Sequence, residues 1–204
     1  MSAHVKHPIL RLDVVGPDGT ITTDHVVFCQ HQHQSVRVEE CTRCVHCDSI
    51  GEEPEPIVAC TIPHAPLPRH QDPRGERVEV GSVLRHGTVV VGDSVPVGDA
   101  IAVLRAGDRR SVAIVDARHV MVGIVHDGAL SRRLAPSDEA VAAVMATTIA
   151  IDERTPVRVA LKILAAKHLR EATVVSGRGV PIGVFRDVDG LQWITSSRRS
   201  AQVR

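Results

Sequence analysis

The feature that most constrains the fold of this chain is an internal duplication in its second half. Residues 95–127 and 155–187 align without gaps at an offset of 60. The alignment pairs Pro96 with Pro156, Ala100 with Ala160, Leu104 with Leu164, Gly123 with Gly183 and Asp127 with Asp187. A repeat of this length within one sequence indicates two copies of a single supersecondary unit.

Each copy has the pattern of a strand, a helix, a two-stranded hairpin and a second helix. Apolar runs at 88–91 and 147–151 predict the first strands. Thr155 is placed to act as an N-cap, with Pro156 at the first helical position. Both helices carry a one-sided apolar stripe: Val97, Ala100, Ile101 and Leu104, then Val157, Ala160, Leu161 and Leu164. The sequence therefore predicts the order β-α-β-β-α twice.

A tandem unit of this kind, with Val144-Met145 leading into the second copy and a hairpin that ends in Gly-Ile-Val, resembles a pair of CBS domains (a Bateman module). The resemblance divides the chain into a first CBS domain at 78–134, a second at 140–195 and a basic tail at 196–204. It implies a regulatory module without catalytic residues. It further implies a homodimer that binds AMP, ADP, ATP or S-adenosylmethionine between the copies.

The resemblance also implies where a nucleotide binds. The ligand signature of the family is G-h-x-T/S-x-x-D, in which the Asp binds the ribose and the Thr or Ser contacts phosphate. The second copy runs from Gly183 and Val184 to Arg186 and Asp189, so it keeps the Asp and replaces the Thr with a cation suited to phosphate. We expect Asp189, Arg186 and Val184 to contact the ligand. The alternative is that no ligand binds here, that Arg186 is a solvated side chain and that Asp189 belongs to the start of the last helix.

The first copy has lost this signature, because His126 replaces the Thr and Ala129 replaces the Asp. We therefore expect the second copy to be the better ligand site.

The first 60 residues predict a small β-rich segment of a different kind. Two β-rich runs, ILRLDVV and TITTDHVVFC, flank Gly-Pro-Asp-Gly and predict a hairpin. All five cysteines of the chain follow, between residues 29 and 60. A Pro-rich stretch at 61–77 predicts a linker to the repeats.

The cysteine spacing predicts a structural metal site. Cys41 and Cys44 form a C-x-x-C knuckle, and Cys29 and Cys60 end two apolar runs, which gives the four thiolates that a tetrahedral zinc site requires. Cys47 is the alternative fourth ligand, and His31, His33 and His46 lie nearby. The pattern loosely resembles a zinc ribbon. Iron in the same thiolates is the alternative metal, whereas redox C-x-x-C chemistry lacks the expected strand–helix context.

The composition of the chain and the motifs that it lacks disfavour several functions. Residues 1–75 hold 6 Lys and Arg against 10 Asp and Glu, and the chain has two Phe, one Trp and no Tyr, so a nucleic-acid partner is disfavoured. No apolar run has the length of a membrane span, and the start lacks a signal peptide, so we expect a cytoplasmic protein. Enzyme motifs are absent. The alternative function is a metal-dependent nucleic-acid-binding or protein-interaction scaffold whose CBS pair only dimerises.

Overall fold

The protein is a mixed α+β molecule that is mostly sheet. This computed structural model describes residues 2–15, 20–51, 56–63, 78–106, 111–126, 140–143, 145–146 and 148–202. The strands there are β1 (Ser2–Pro8), β2 (Leu10–Val15), β3 (Ile21–Cys29), β4 (Gln34–Arg37), β5 (Cys47–Gly51), β6 (Ile57–Pro63), β7 (Thr88–Gly92), β8 (Ser111–Val115), β9 (Met121–His126), β10 (Ala150–Asp152), β11 (Glu171–Val175) and β12 (Pro181–Arg186). The α-helices are α1 (Val38–Cys41), α2 (Val97–Ala106), α3 (Val157–Ala166) and α4 (Asp187–Gln202).

The second copy has the predicted order β10-α3-β11-β12-α4. β10 pairs parallel with β11, and β11 pairs antiparallel with β12. The apolar stripe of α3 faces the core, with Val157 and Ala160 fully buried. The predicted start of this helix is wrong by one residue: the N-cap is Pro156, because the N–H of Thr155 already donates to Asp152 O in a preceding turn (2.9 Å).

The first copy repeats the arrangement with β7, α2, β8 and β9. β7 pairs parallel with β8, and β8 pairs antiparallel with β9. The predicted final helix of this copy, at 128–134, lies outside the described residues.

Each copy is completed by the segment that precedes the other copy. A 3-10 turn at Val80–Val83 precedes β7, yet its valines pack in the core of α3, β11 and β12. In the same way, Val141 precedes β10 but packs in the core of α2, β7 and β8. Matching bridges, Glu79 to Pro156 and Ala140 to Pro96, hold the two segments in place. The repeats therefore form a single interlocked unit.

The N-terminal hairpin extends the sheet of the first copy. β2 and β3 form the predicted antiparallel pair, and β2 also pairs parallel with β7 from Leu12–Thr88 to Val15–Val91. The resulting six-stranded sheet has the order β4-β3-β2-β7-β8-β9. Leu10 of β2 and Val26 of β3 pack in the core of the second copy. The segment at 1–60 is therefore joined to the repeats by strand pairing and by packing.

Another, three-stranded sheet has the order β1-β6-β5 and carries Cys47 on β5 and Cys60 on β6. β1 was not predicted, and it pairs with β6 along its whole length, from Ser2–Pro63 to Pro8–Ile57. This pairing carries β6 past Cys60, so Cys60 lies within a strand and not at its end as expected. Within the described residues no helix combines the length and apolar character needed to cross a membrane.

Candidate ligand and metal sites

Arg186 and Asp189, two of the predicted nucleotide contacts, lie against each other where β12 passes into α4. β12 ends at Arg186, and Asp189 lies in the first turn of α4. Arg186 Nε donates to Asp189 Oδ2 (3.0 Å), and Arg186 Nη2 lies 3.4 Å from Oδ1. The Asp189 side chain is 9% exposed, whereas that of Arg186 is 40% exposed. The structure therefore brings the two residues together as an ion pair.

A third polar side chain reaches this site from the first copy. His86, in the segment that leads into β7, places its Nε2 3.6 Å from Asp189 Oδ2 and in contact with Nη2 of Arg186. The carbonyl of His86 accepts the N–H of Val184 (3.1 Å). Sequence reasoning missed His86, because it lies 100 residues before Arg186 and no local motif marks it. The site is therefore shared between the copies.

The third predicted contact, Val184, takes part through its backbone. Its N–H is bonded to His86, and its neighbour Gly183 allows the close approach of the two segments. A Cβ at Gly183 would lie 2.7 Å from the carbonyl oxygen of His86, so a larger residue would push the segments apart. The signature glycine of the second copy thus has a steric role here.

The equivalent position in the first copy shows the same backbone without the same side chains. Ile124 and Ala146 exchange both backbone hydrogen bonds (3.0 and 2.8 Å), as the duplication requires. Ala146 stands where the other site has His86, and His126 is exposed at the end of β9. Ala129 lies outside the described residues. The charged cluster described above therefore has no counterpart in the described part of the first copy.

Four of the five cysteines line one small cavity in the segment at 1–60, which we call the cysteine head. Cys29, Cys41, Cys44 and Cys60, the four preferred ligands, line a cavity of about 30 Å³. Cys47 does not line it, although it pairs with Cys60 across β5 and β6. Backbone bonds from Cys44 N to Cys41 O (3.0 Å) and from Cys47 N to Cys44 O (3.1 Å) fold the knuckle into successive turns.

Three histidines also line this cavity: His7, His31 and His46. The rings of His31 and His46 lie 4.9 Å apart between centroids. His7 was not predicted, and it is buried on β1 opposite Val58 of β6. His33, which was considered, turns away and lies 3.2 Å from a carboxylate oxygen of Glu79. The only sequence signal for His7 was the concentration of histidines in the first third of the chain.

Burial and repulsion from neighbouring sulfurs raise the pKa of two of these thiols, Cys41 and Cys60. Burial first, and then the proximity of Cys47, Cys29 and Cys44, raise the pKa of Cys41 to about 11. Burial and the same kind of neighbours raise the pKa of Cys60 to about 12. The sulfurs are therefore near enough to repel one another as thiolates. Nevertheless, no group of three or more His, Cys, Asp or Glu residues in the described ranges is arranged to hold a metal ion as it stands.

Comparison with known proteins identifies the fold of the repeats. No protein-family model and no curated protein matches the chain. Among solved structures, the chain is similar to the CBS domain of a bacterial CNNM/CorC family Mg²⁺ transporter in complex with ATP, at 19% identity and a TM-score of 0.52 over 59% of this chain and 89% of that one. It is also similar to CBSX2 in complex with AMP, at 20% identity and a TM-score of 0.50, over 59% of this chain and 98% of that one.

A third similar structure is the CBS domain of a CBS domain-containing membrane protein from Sphaerobacter thermophilus. It is 18% identical with a TM-score of 0.50, over 61% of this chain and 93% of that one. The repeats therefore have the fold of a CBS-domain pair, which confirms the predicted fold class.

Proposed function

We propose that this chain is a regulatory CBS-pair protein that binds an adenine nucleotide at the Asp189 site. The observation that carries the proposal is a nearly buried carboxylate, 9% exposed, held where both copies meet. Carboxylates accept hydrogen bonds from ribose hydroxyls, and a guanidinium can bind a phosphate through two parallel bonds. Two of the structures similar in fold are in complex with ATP and AMP.

A nucleotide at this site would exchange the internal ion pair for contacts to the ligand. Arg186 and His86 are each about 40% exposed and can be reached by a ligand, whereas Asp189 is nearly buried. Turning Arg186 toward a phosphate would exchange its bonds to Asp189 for bonds to the ligand, and the ribose hydroxyls would then satisfy the buried carboxylate. His86 lies in the segment that leads from the second core into β7, so binding would act on the connection between the two copies.

The proposal predicts ligand-dependent thermal stability. We expect ATP, ADP or AMP, and in the competing case S-adenosylmethionine, to raise the melting temperature of the full chain. A ligand at about 100 times its Kd stabilises the folded state by about 2.7 kcal/mol. The shift is expected to vanish in Asp189→Ala, which removes the ribose acceptor.

Asp187→Ala is the matched control, because Asp187 is two residues away and pairs with Arg170 (3.0 Å) instead. The control is expected to keep the ligand-induced shift. No shift with any of the four compounds would exclude the nucleotide function, and a shift that persists in Asp189→Ala would place the ligand elsewhere.

We also propose that the cysteine head binds zinc through Cys29, Cys41, Cys44 and Cys60. Support comes from the shared cavity of these four side chains, whose soft donors suit zinc. Cys47 lies close to Cys41 and Cys60 and is the alternative ligand. The four sulfur atoms would have to move closer together to coordinate the ion. Zinc bound by four thiolates would be structural, because it would join β3 of the six-stranded sheet, α1 and β6 of the three-stranded sheet.

Metal analysis of purified protein tests this ligand set. We expect one zinc per chain in the wild type, loss of zinc in Cys44→Ser and Cys60→Ser, and retention in the matched variant Cys47→Ser. The reverse behaviour of Cys47→Ser and Cys60→Ser would make Cys47 the fourth ligand. Visible absorption of the purified protein would indicate iron, and metal-free wild-type protein would contradict the proposal.

The homodimer and the cytoplasmic location expected from the sequence remain proposals. The described helices do expose Val159, Val188 and Leu191, which would suit a dimer formed through α3 and α4. A protein that dimerises but binds no nucleotide would fit the alternative function, a scaffold whose working part is the cysteine head.

A further inference from the structure

A large groove lies between the N-terminal sheet extension and the hairpin turns of both copies. Its volume is about 960 Å³, and it does not include Arg186, Asp189 or His86. The floor is apolar and comes from β2, β3 and β7, through Leu12, Val14, Val26 and Val90. Its walls are polar and include Asp24, Arg37 and Glu40. A concave site of this size with an apolar floor is typical of a small-molecule site.

Two equivalent arginines stand at the rim of this groove. Arg118 and Arg178 occupy the same position in the two hairpin turns, 60 residues apart, and both are exposed. Each turn is closed by the side chain two residues earlier: Asp116 Oδ1 accepts the N–H of Arg118 (2.8 Å), and Ser176 Oγ accepts that of Arg178 (3.4 Å). Neither guanidinium contacts a carboxylate within the described ranges.

The fold places these two turns side by side. The N–H of Met121, directly after the first turn, donates to the carbonyl of Gly179 in the second turn (2.9 Å). A Cβ built at Gly179 would lie 3.0 Å from Val120. Arg118 and Arg178 therefore stand on neighbouring turns at one end of the groove.

A third arginine and a buried carboxylate complete this end of the groove. The guanidinium of Arg154 lies against Gly177, and its Nε donates to the carbonyl of His33 (3.0 Å). The neighbouring Glu153 is fully buried and accepts the N–H of Ser35 on β4 (2.7 Å), which ties the N-terminal extension to the second copy. Burial raises the pKa of Glu153, and the N–H of Gly177 in the second hairpin turn also donates to this carboxylate (3.4 Å).

We propose that this groove binds an organic phosphate, with the phosphate between Arg118 and Arg178 and the apolar body on the floor formed by β2, β3 and β7. Three arginines offer more donors than a carboxylate can accept, whereas a phosphate has three free oxygens and a larger charge. The site exists only because the N-terminal hairpin extends the sheet beyond the CBS pair. It is independent of the proposed nucleotide site.

Calorimetric titration of the full chain with n-octyl phosphate tests the proposal, at fixed ionic strength and below micelle formation. We expect octyl phosphate to bind more tightly than inorganic phosphate, octanoate or the neutral octyl glucoside. Arg118→Gln/Arg178→Gln is expected to weaken binding about tenfold for each arginine, because a charged hydrogen bond contributes about one such factor or more. Val14→Trp, which fills the floor, is expected to weaken octyl phosphate but not inorganic phosphate.

Arg43→Gln/Arg105→Gln is the matched control, since it removes the same charge from exposed positions outside the groove. This control and Asp189→Ala are expected to bind octyl phosphate as the wild type does, and Arg118→Gln/Arg178→Gln is expected to keep any stabilisation by nucleotides. Undiminished binding in Arg118→Gln/Arg178→Gln, or loss in Asp189→Ala, would overturn the proposal. Tighter binding of octanoate, or equal binding of inorganic phosphate, would overturn the ligand class.

Discussion

At the scale of single residues, the β8–β9 and β11–β12 hairpin turns have the same backbone conformation at one position, but different residues adopt it. His119 in the first turn and Gly179 in the second both have a positive φ, 61° and 79°. Glycine adopts this left-handed conformation freely, whereas a residue with a Cβ is strained by about 1–2 kcal/mol. The duplication has therefore kept the turn while only one copy has kept the residue best suited to it.

This difference predicts that Gly179→Ala lowers the free energy of unfolding by about 1–2 kcal/mol, measured by urea denaturation. The added Cβ would be strained and would lie 3.0 Å from Val120. Gly177→Ala is the matched control: its Cβ would meet only the flexible end of Arg154 at 3.4 Å, so an effect of about 0.5 kcal/mol or less is expected. Equal losses in both variants would contradict this reasoning.

The candidate site residues were predictable where a family signature or a cluster of cysteines marks them, and not where strand pairing alone brings them together. Arg186 and Asp189 were identified, but their ion pair was not, although a spacing of three residues at a helix start favours one. Cys41 and Cys44 were identified by their knuckle spacing. His86 and His7 were missed because strand pairing brings them to their sites from distant parts of the chain. A sequence pattern indicates the chemical type of a site and its local geometry. It does not indicate which distant segments of the chain pair with each other.

At the scale of elements, the hairpin of β2 and β3 was predicted and its partners were not. Alternating apolar residues and the Gly-Pro-Asp-Gly stretch indicate strands and a turn. The same pattern does not predict that β2 pairs in parallel with β7, because a strand with one apolar face can extend any sheet that has a free edge. The Pro-rich stretch after Cys60 made the first 60 residues resemble an independent segment.

Because β2 completes the core of the second copy, Leu10→Ala is expected to destabilise the whole CBS pair. Leu10 is 4% exposed, and truncating such a leucine costs about 2–5 kcal/mol. The loss is expected in the urea-induced transition of Trp193 fluorescence, which reports on the second copy. Ile21→Ala on β3 is the matched control, since Ile21 is 59% exposed. An unchanged Trp193 transition in Leu10→Ala would mean that the hairpin unfolds independently.

At the scale of the whole molecule, the duplication predicted two equal units but not their exchange of segments. The offset of 60 residues shows that each copy contains a complete β-α-β-β unit. It does not show that Val80 packs in the second core and Val141 in the first. Both segments are short and apolar, so either would be stable in whichever core the connecting chain allows. The exchange makes each copy depend on the other for stability.

This dependence predicts that damage to one core is felt in the other. Val141 is fully buried in the first core, and Val141→Ala is expected to lower the free energy of unfolding by about 2 kcal/mol. Trp193, the only tryptophan, lies in the second core. In an interlocked pair the two cores unfold in one cooperative transition. The urea midpoints measured by Trp193 fluorescence and by far-ultraviolet circular dichroism are therefore expected to shift together in Val141→Ala, and neither is expected to shift in Val159→Ala, whose side chain is exposed. If the circular dichroism midpoint shifts in Val141→Ala while the Trp193 midpoint does not, the two copies unfold separately. The exchanged segments could then not transmit the effect of binding at the Asp189 site from one copy to the other.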